Sequence, residues 1–81
     1  MLLLAFDSTQ QALRAEMLLD YAEIEIDTCP TPKEITAGCA LSIAFDDKDK
    51  EQVIRIIREE NVEIRGLYSN KGNGYDKLLL D

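Results

Sequence analysis

The chain has no histidine and no tryptophan, and its four glycines never gather into a cluster that cradles phosphate. A cysteine thiolate is therefore the one strong nucleophile the sequence is able to set in a defined pocket. Basic residues are also scarce, with 9 Lys+Arg against 16 Asp+Glu and a formal charge of −7. Such a balance repels phosphate backbones and anionic membrane surfaces alike, so neither nucleic acid nor membrane is expected as a partner. With only two cysteines, Cys29 and Cys39, there is no disulfide scaffold, and both are expected as thiols. Two thiols without CxxC spacing and without histidine make no four-ligand zinc set, so no metal is expected. The charge cluster Asp46-Asp47-Lys48-Asp49-Lys50-Glu51 lacks the glycine and ligand alternation of a calcium loop, and reads as a solvated helix start. Long apolar runs are missing too. Met1–Phe6 has no basic flank and stops at Asp7, too short for a signal peptide or a membrane span, which points to the cytoplasm.

Eighty-one residues predict one domain over 1–81, a core in 1–69 and a turn with a tail or extra strand in 70–81. Leu2–Phe6 reads as a buried strand. Ser8 with Gln11 three positions on forms a capping box, and Ala12, Ala15, Leu18, Leu19 and Ala22 then recur at helical spacing. Ile24–Thr28 alternates as a second strand, and Pro30-Thr31-Pro32 ends its ladder, with one helical turn expected around Lys33–Thr36. Leu41, Ile43 and Phe45 share the inward face of a third strand. Asp46 or Asp47 caps the next helix, Val53, Ile56 and Ile57 form its core stripe, and Asn61 suits a left-handed cap. Val62–Tyr68 reads as a fourth strand. The apolar end of Tyr75–Leu80 calls for burial, as a fifth strand or against a neighbouring subunit.

The two halves echo each other. Ala5-Phe6-Asp7 recurs as Ala44-Phe45-Asp46, and Ile24-Glu25-Ile26 recurs as Val62-Glu63-Ile64, 38 positions on (62 − 24). A duplicated βαβ unit gives βαββαβ, for which a ferredoxin-like α+β sandwich is the economical solution, an antiparallel sheet with both helices on one face. The other face then stays open, with Leu3, Ala5, Ala40, Ser42 and Ala44 at its centre and Glu25, Asp27, Glu63 and Arg65 at its margins. Small apolar residues ringed by charge read as an association surface, so a homodimer or higher homo-oligomer is expected through this face or the C-terminal tail. The alternative is a solvated sheet that merely tolerates alanine.

Cys39 sits where a loop opened by Pro32 and closed by Gly38 enters the third strand. Amides of Ala37 and Gly38 and the ammonium of Lys33 are the groups available to stabilise its anion. The competing reading is a small buried hydrophobe at a strand start. Cys29, nine residues before that loop's end, is a possible second thiol, but parity sets it on the open face and Cys39 on the helix side, which argues against a pair.

On Phe6-Asp7-Ser8-Thr9, Ala12-Leu13, Ala15-Glu16, Pro30-Thr31-Pro32-Lys33-Glu34-Ile35, and Cys39 with the strand into Phe45-Asp46, the chain resembles the short bacterial and archaeal proteins described as selenium/sulfur carrier-like. The likeness spans about residues 2 to 68. It implies a cytoplasmic protein, at most a transfer carrier, whose Cys39 holds sulfur or selenium as persulfide or perselenide between a donor and an acceptor protein, with no bound organic cofactor. Thr31, Pro32 and Lys33 would shape the loop, with Thr36, Ala37, Gly38 and Ala40 flanking the thiol. Ala40 stands where that family's pattern typically reads glycine, and Cys29 where an aliphatic residue is usual. The competing function is a non-catalytic ligand-binding or protein-interaction module of the same fold, in which Cys39 is dispensable.

Overall fold

Leu2–Ala5 has a buried side chain at every position, and a strand with no solvated face belongs in the middle of a sheet. The computed structural model, which describes residues 1–32, 35, 41–70 and 74–78, puts it there. The elements run β1 (Leu2–Ala5), α1 (Thr9–Tyr21), β2 (Ile26–Pro30), β3 (Leu41–Phe45), a single 3₁₀ turn (Asp47–Asp49), α2 (Lys50–Glu59), β4 (Gly66–Asn70) and β5 (Tyr75–Leu78). The sheet order is β2-β3-β1-β4-β5. Every neighbouring pair is antiparallel, with Ala5 opposite both Ser42 and Gly66, and Pro30 opposite Leu41. The molecule is α+β, and the tail supplies a fifth strand.

The helix signals hold at their expected residues. Ser8 has extended backbone geometry and its Oγ accepts from the Gln11 amide at 3.4 Å, which starts α1. Asp46 accepts from the Lys48 amide at 3.0 Å and opens the turn into α2. Ala12, Ala15 and Leu19 of α1 and Val53 and Ile57 of α2 join Leu2, Leu4, Phe6, Ile43, Phe45 and Leu67 in one apolar core. Leu3 and Ala5, the alternate residues of β1, belong instead to a small second cluster with Ile35, against which Cys29, Ala44, Tyr68 and Tyr75 pack.

β2 and β4 begin later than alternation predicts, at Ile26 and Gly66 instead of Ile24 and Val62. The helix ends explain both. The Ile24 amide donates back to the Leu19 carbonyl and the Glu23 amide to that of Asp20. The Val62 and Asn61 amides do the same toward Ile57 and Arg58, each bond displaced by 38 positions (62 − 24, 61 − 23). These are paired Schellman caps, and they use the donors that a strand would need. The internal duplication read from three-residue matches is thus repeated in hydrogen bonding. Each cap places a non-glycine residue in the left-handed region, Asn61 at φ 54° as expected and Glu23 at φ 63°.

Glutamate has no side-chain advantage in that region and carries the Cβ penalty, whereas glycine has none. Because Glu23 is exposed, Glu23→Gly is expected to raise the urea midpoint, by about 1 kcal/mol of unfolding free energy. Leu19→Ala, emptying a fully buried site, should lower stability by roughly 2–5 kcal/mol.

Candidate functional site

The segment read from the sequence as the site joins β2 to β3, whose facing ends pair Pro30 with Leu41. Proline fits there because β2 is an outer strand of the sheet. Diagonally across that pair, Thr31 just past β2 and Ser42 within β3 are both buried, and their hydroxyls share a hydrogen bond of 2.6 Å. Each hydroxyl satisfies the other, so two polar groups are buried without an orphan. The Pro32 carbonyl then accepts from the Ile35 amide at 3.0 Å, a tight turn within the span where one helical turn was expected. Thr31 and Pro32 are therefore held by these bonds at the end of β2, just ahead of the segment read as the thiol loop. Cys39, Lys33, Thr36, Ala37, Gly38 and Ala40 lie outside the described residues.

Ile35 is buried over Leu3 and Ala5. Its carbonyl accepts from the Nε of Arg65 at 3.2 Å, while the same guanidinium donates through its Nη1 to Asp7 Oδ1 at 2.7 Å. The Arg65 amide donates to the Ala5 carbonyl at 2.7 Å, which seats the residue at the end of β1. One side chain thus ties the segment after β2 to the turn that leads into α1. The Asp7 bond, followed by the attraction of its charge, holds Arg65 more firmly in its charged form than usual. Both partners are well exposed, so solvent screens the pair and its worth is geometric more than energetic. Sequence reasoning placed Arg65 only at the margin of the sheet. The available signal was that it is the one cation in Val62–Tyr68.

The face expected to be open is closed at its centre. Leu3 is 6% and Ala5 0% exposed, because Ile35 and Tyr68 lie over them. Gly66 contributes to this cover, for a Cβ there would meet the Tyr68 ring at 3.1 Å. The association surface proposed for those residues is correspondingly smaller than alternation implies.

Cys29 does point to this cluster, as its parity required. It is half-buried, and burial first, then the Asp27 carboxylate, push its thiol above the ordinary value. A thiol so placed is protonated at neutral pH and a poor nucleophile. Among the described residues no group of three histidine, cysteine, aspartate or glutamate side chains is placed to hold a metal ion.

Two measurements check this geometry. Thr31→Val strands the Ser42 hydroxyl and is expected to cost about 1–3 kcal/mol in urea unfolding, and adding Ser42→Ala should return most of that loss, a non-additive pair. In Cys39→Ser protein, where Cys29 is the sole thiol, iodoacetamide alkylation should be slow at neutral pH and should rise only above the pH at which a free thiol titrates. Rapid labelling at neutral pH would contradict the environment described for Cys29.

No helix among the described residues is long and apolar enough to cross a membrane. No curated protein and no solved structure matches the chain. Residues 1–69 match the family described as "Putative Se/S carrier protein-like". The match begins at β1, takes in Cys39 and the residues at the foot of its loop, and ends within β4, ahead of β5. Since it spans all but the last twelve residues (81 − 69), the chain belongs to this Se/S carrier-like family.

Proposed function

We propose that the protein carries sulfur or selenium on Cys39, as persulfide or perselenide, between a donor protein and an acceptor protein. Family membership over residues 1–69 is the observation that carries this reading. It is supported by the way the chain on either side of the thiol segment is fastened: the Pro30–Leu41 pairing, the buried Thr31–Ser42 bond, and Ile35 held by Arg65. A loop tethered at such points spends less of its entropy when a partner's sulfur must be met in one geometry. The same reading takes the fold as ferredoxin-like. The element order and the strand order β2-β3-β1-β4 support it, as does the joining of both helices' buried residues in one cluster.

The step is an exchange at sulfur. The Cys39 thiolate attacks the outer sulfur of a donor persulfide, a new S–S bond forms at Cys39, and the donor's S–S bond breaks to leave the donor as a thiolate. The outer sulfur keeps its proton, and the reverse reaction on an acceptor thiolate delivers it. A perselenide follows the same path with selenium as the transferred atom. No external oxidant or reductant enters. Cys29, protonated and half-buried, is the thiol that stays out of the reaction.

Incubation with a persulfide donor followed by intact and peptide mass analysis should show the mass of one sulfur atom added at Cys39. The addition should persist in Cys29→Ser and vanish in Cys39→Ser. Modification at Cys29 alone would move the site. No addition at either thiol, together with a metabolite that raises the melting temperature of wild type and Cys39→Ser equally, would replace the carrier with a ligand-binding module.

A further inference from the structure

β2 has β3 on one side and, among the described residues, no strand on the other. The outer edge of such a strand presents backbone donors and acceptors without a strand partner, a template for an added strand. Beside it, the exposed large apolar residues of α1 are Leu13 (49% exposed), Met17 (72%) and Tyr21 (90%). They stand at i, i+4 and i+8, so they form one ridge along the helix on the side turned from the core. Glu16 and Asp20 fall at the same four-residue spacing between this ridge and β2. A groove of about 440 Å³ runs there, lined by Glu16, Met17, Asp20, Ile26, Asp27 and Thr28. A second, of about 630 Å³, continues past Asp20 and Asp27 and adds Glu23 and Glu25. An unpaired strand edge, an apolar ridge and a line of acids therefore lie side by side.

We propose that this edge takes an extended segment of a partner protein in which lysine or arginine alternates with apolar residues. The segment adds to β2 as a strand, the cations on its helix-side face meeting Glu16 and Asp20 with their aliphatic stems against Met17 and Ile26, while its apolar side chains take the other face, level with Cys29. That the partner is the protein exchanging sulfur or selenium rests on the function proposed above; the surface itself does not. A second copy of the chain is the wrong occupant. Two β2 edges brought together would set Asp27 and Glu25 of each against acids of the other, within two molecules that each carry −7. The position suits delivery as well, because β2 runs directly into the segment that contains Cys39.

The probe is a short capped peptide of alternating lysine and valine, with a glutamate-for-lysine version as control, titrated into ¹⁵N-labelled full-length protein. Amide shifts are expected at Ile26–Thr28 and Glu16–Tyr21, weakening with added salt. Glu16→Lys combined with Asp20→Lys should lower the affinity about tenfold, while its urea midpoint shows that the fold is kept. Equal shifts with the glutamate peptide, shifts confined to other surfaces, or none at millimolar peptide would overturn the proposal. So would a dimer in sedimentation whose Ile26–Thr28 amides are protected from exchange. Cys39→Ser should bind the peptide as wild type does. Binding retained in a protein that fails to accept sulfur would remove the carrier reading and leave the surface standing, and transfer without binding would do the reverse.

Discussion

Burial of β1 on both faces is the constraint from which the rest of the molecule follows. A central strand of Leu2, Leu3, Leu4 and Ala5 has no side chain to give to solvent, so each face must find a cover. Leu2 and Leu4 find it in the core that α1 and α2 share. Leu3 and Ala5 find it in Ile35 and Tyr68. Burying an isoleucine is worth about 1.5–3 kcal/mol before its ordering cost is charged. The segment that leads toward Cys39 is thus recruited by the core itself, and Arg65 fixes its direction by taking the Ile35 carbonyl.

Much of this was legible wherever the signal is local. The Ser8 cap, the parity of Leu41, Ile43 and Phe45, and the left-handed Asn61 depend on residues a few positions apart, and the structure has each of them. Tyr75–Leu78 as a strand also follows from its own apolar pattern once β4 offers an edge. What was not legible depends on competition between elements. Ile24 and Val62 alternate as strand residues should, but the helix caps before them claim their amides. Glu23 carries no mark of a left-handed residue except its correspondence to Asn61 in the duplicated half. The open face looked open because parity says where a side chain points and nothing about what a distant loop lays over it. Ile35 was read as part of a loop, and its role as a lid on Leu3 and Ala5 rests on contacts thirty or more positions away.

The acidity of the chain sharpens the question of the thiol. A field of excess carboxylates opposes any thiolate, and Cys29 illustrates the outcome: partly desolvated and beside Asp27, it is pushed toward the neutral form. An activated cysteine on such a protein needs local compensation from backbone amides or a fixed cation. Among the described residues, the Arg65 guanidinium is a cation fixed at the sheet end where β2 stops and β3 starts, held by Asp7 and by Ile35. Duplication makes the contrast plain, for the position equivalent to Arg65 in the first half is Asp27 (65 − 38). One copy of the unit carries the cation at the sheet end, and the other carries an acid on its edge strand.

Under the proposed function, that asymmetry would give the two halves separate tasks. Arg65 joins Asp7 and Ile35 at the end of β1, and under the proposed function these bonds would favour one approach geometry for an exchange at sulfur. The outer edge of β2, with Asp27 and the acids of α1, offers charge and a backbone that has no strand partner among the described residues. β2 connects them within five residues, Ile26–Pro30. If the edge takes the basic segment proposed above, the excess negative charge that hinders a thiolate in general is tolerable, because the same charge along this edge would steer that partner and oppose a second copy of the chain.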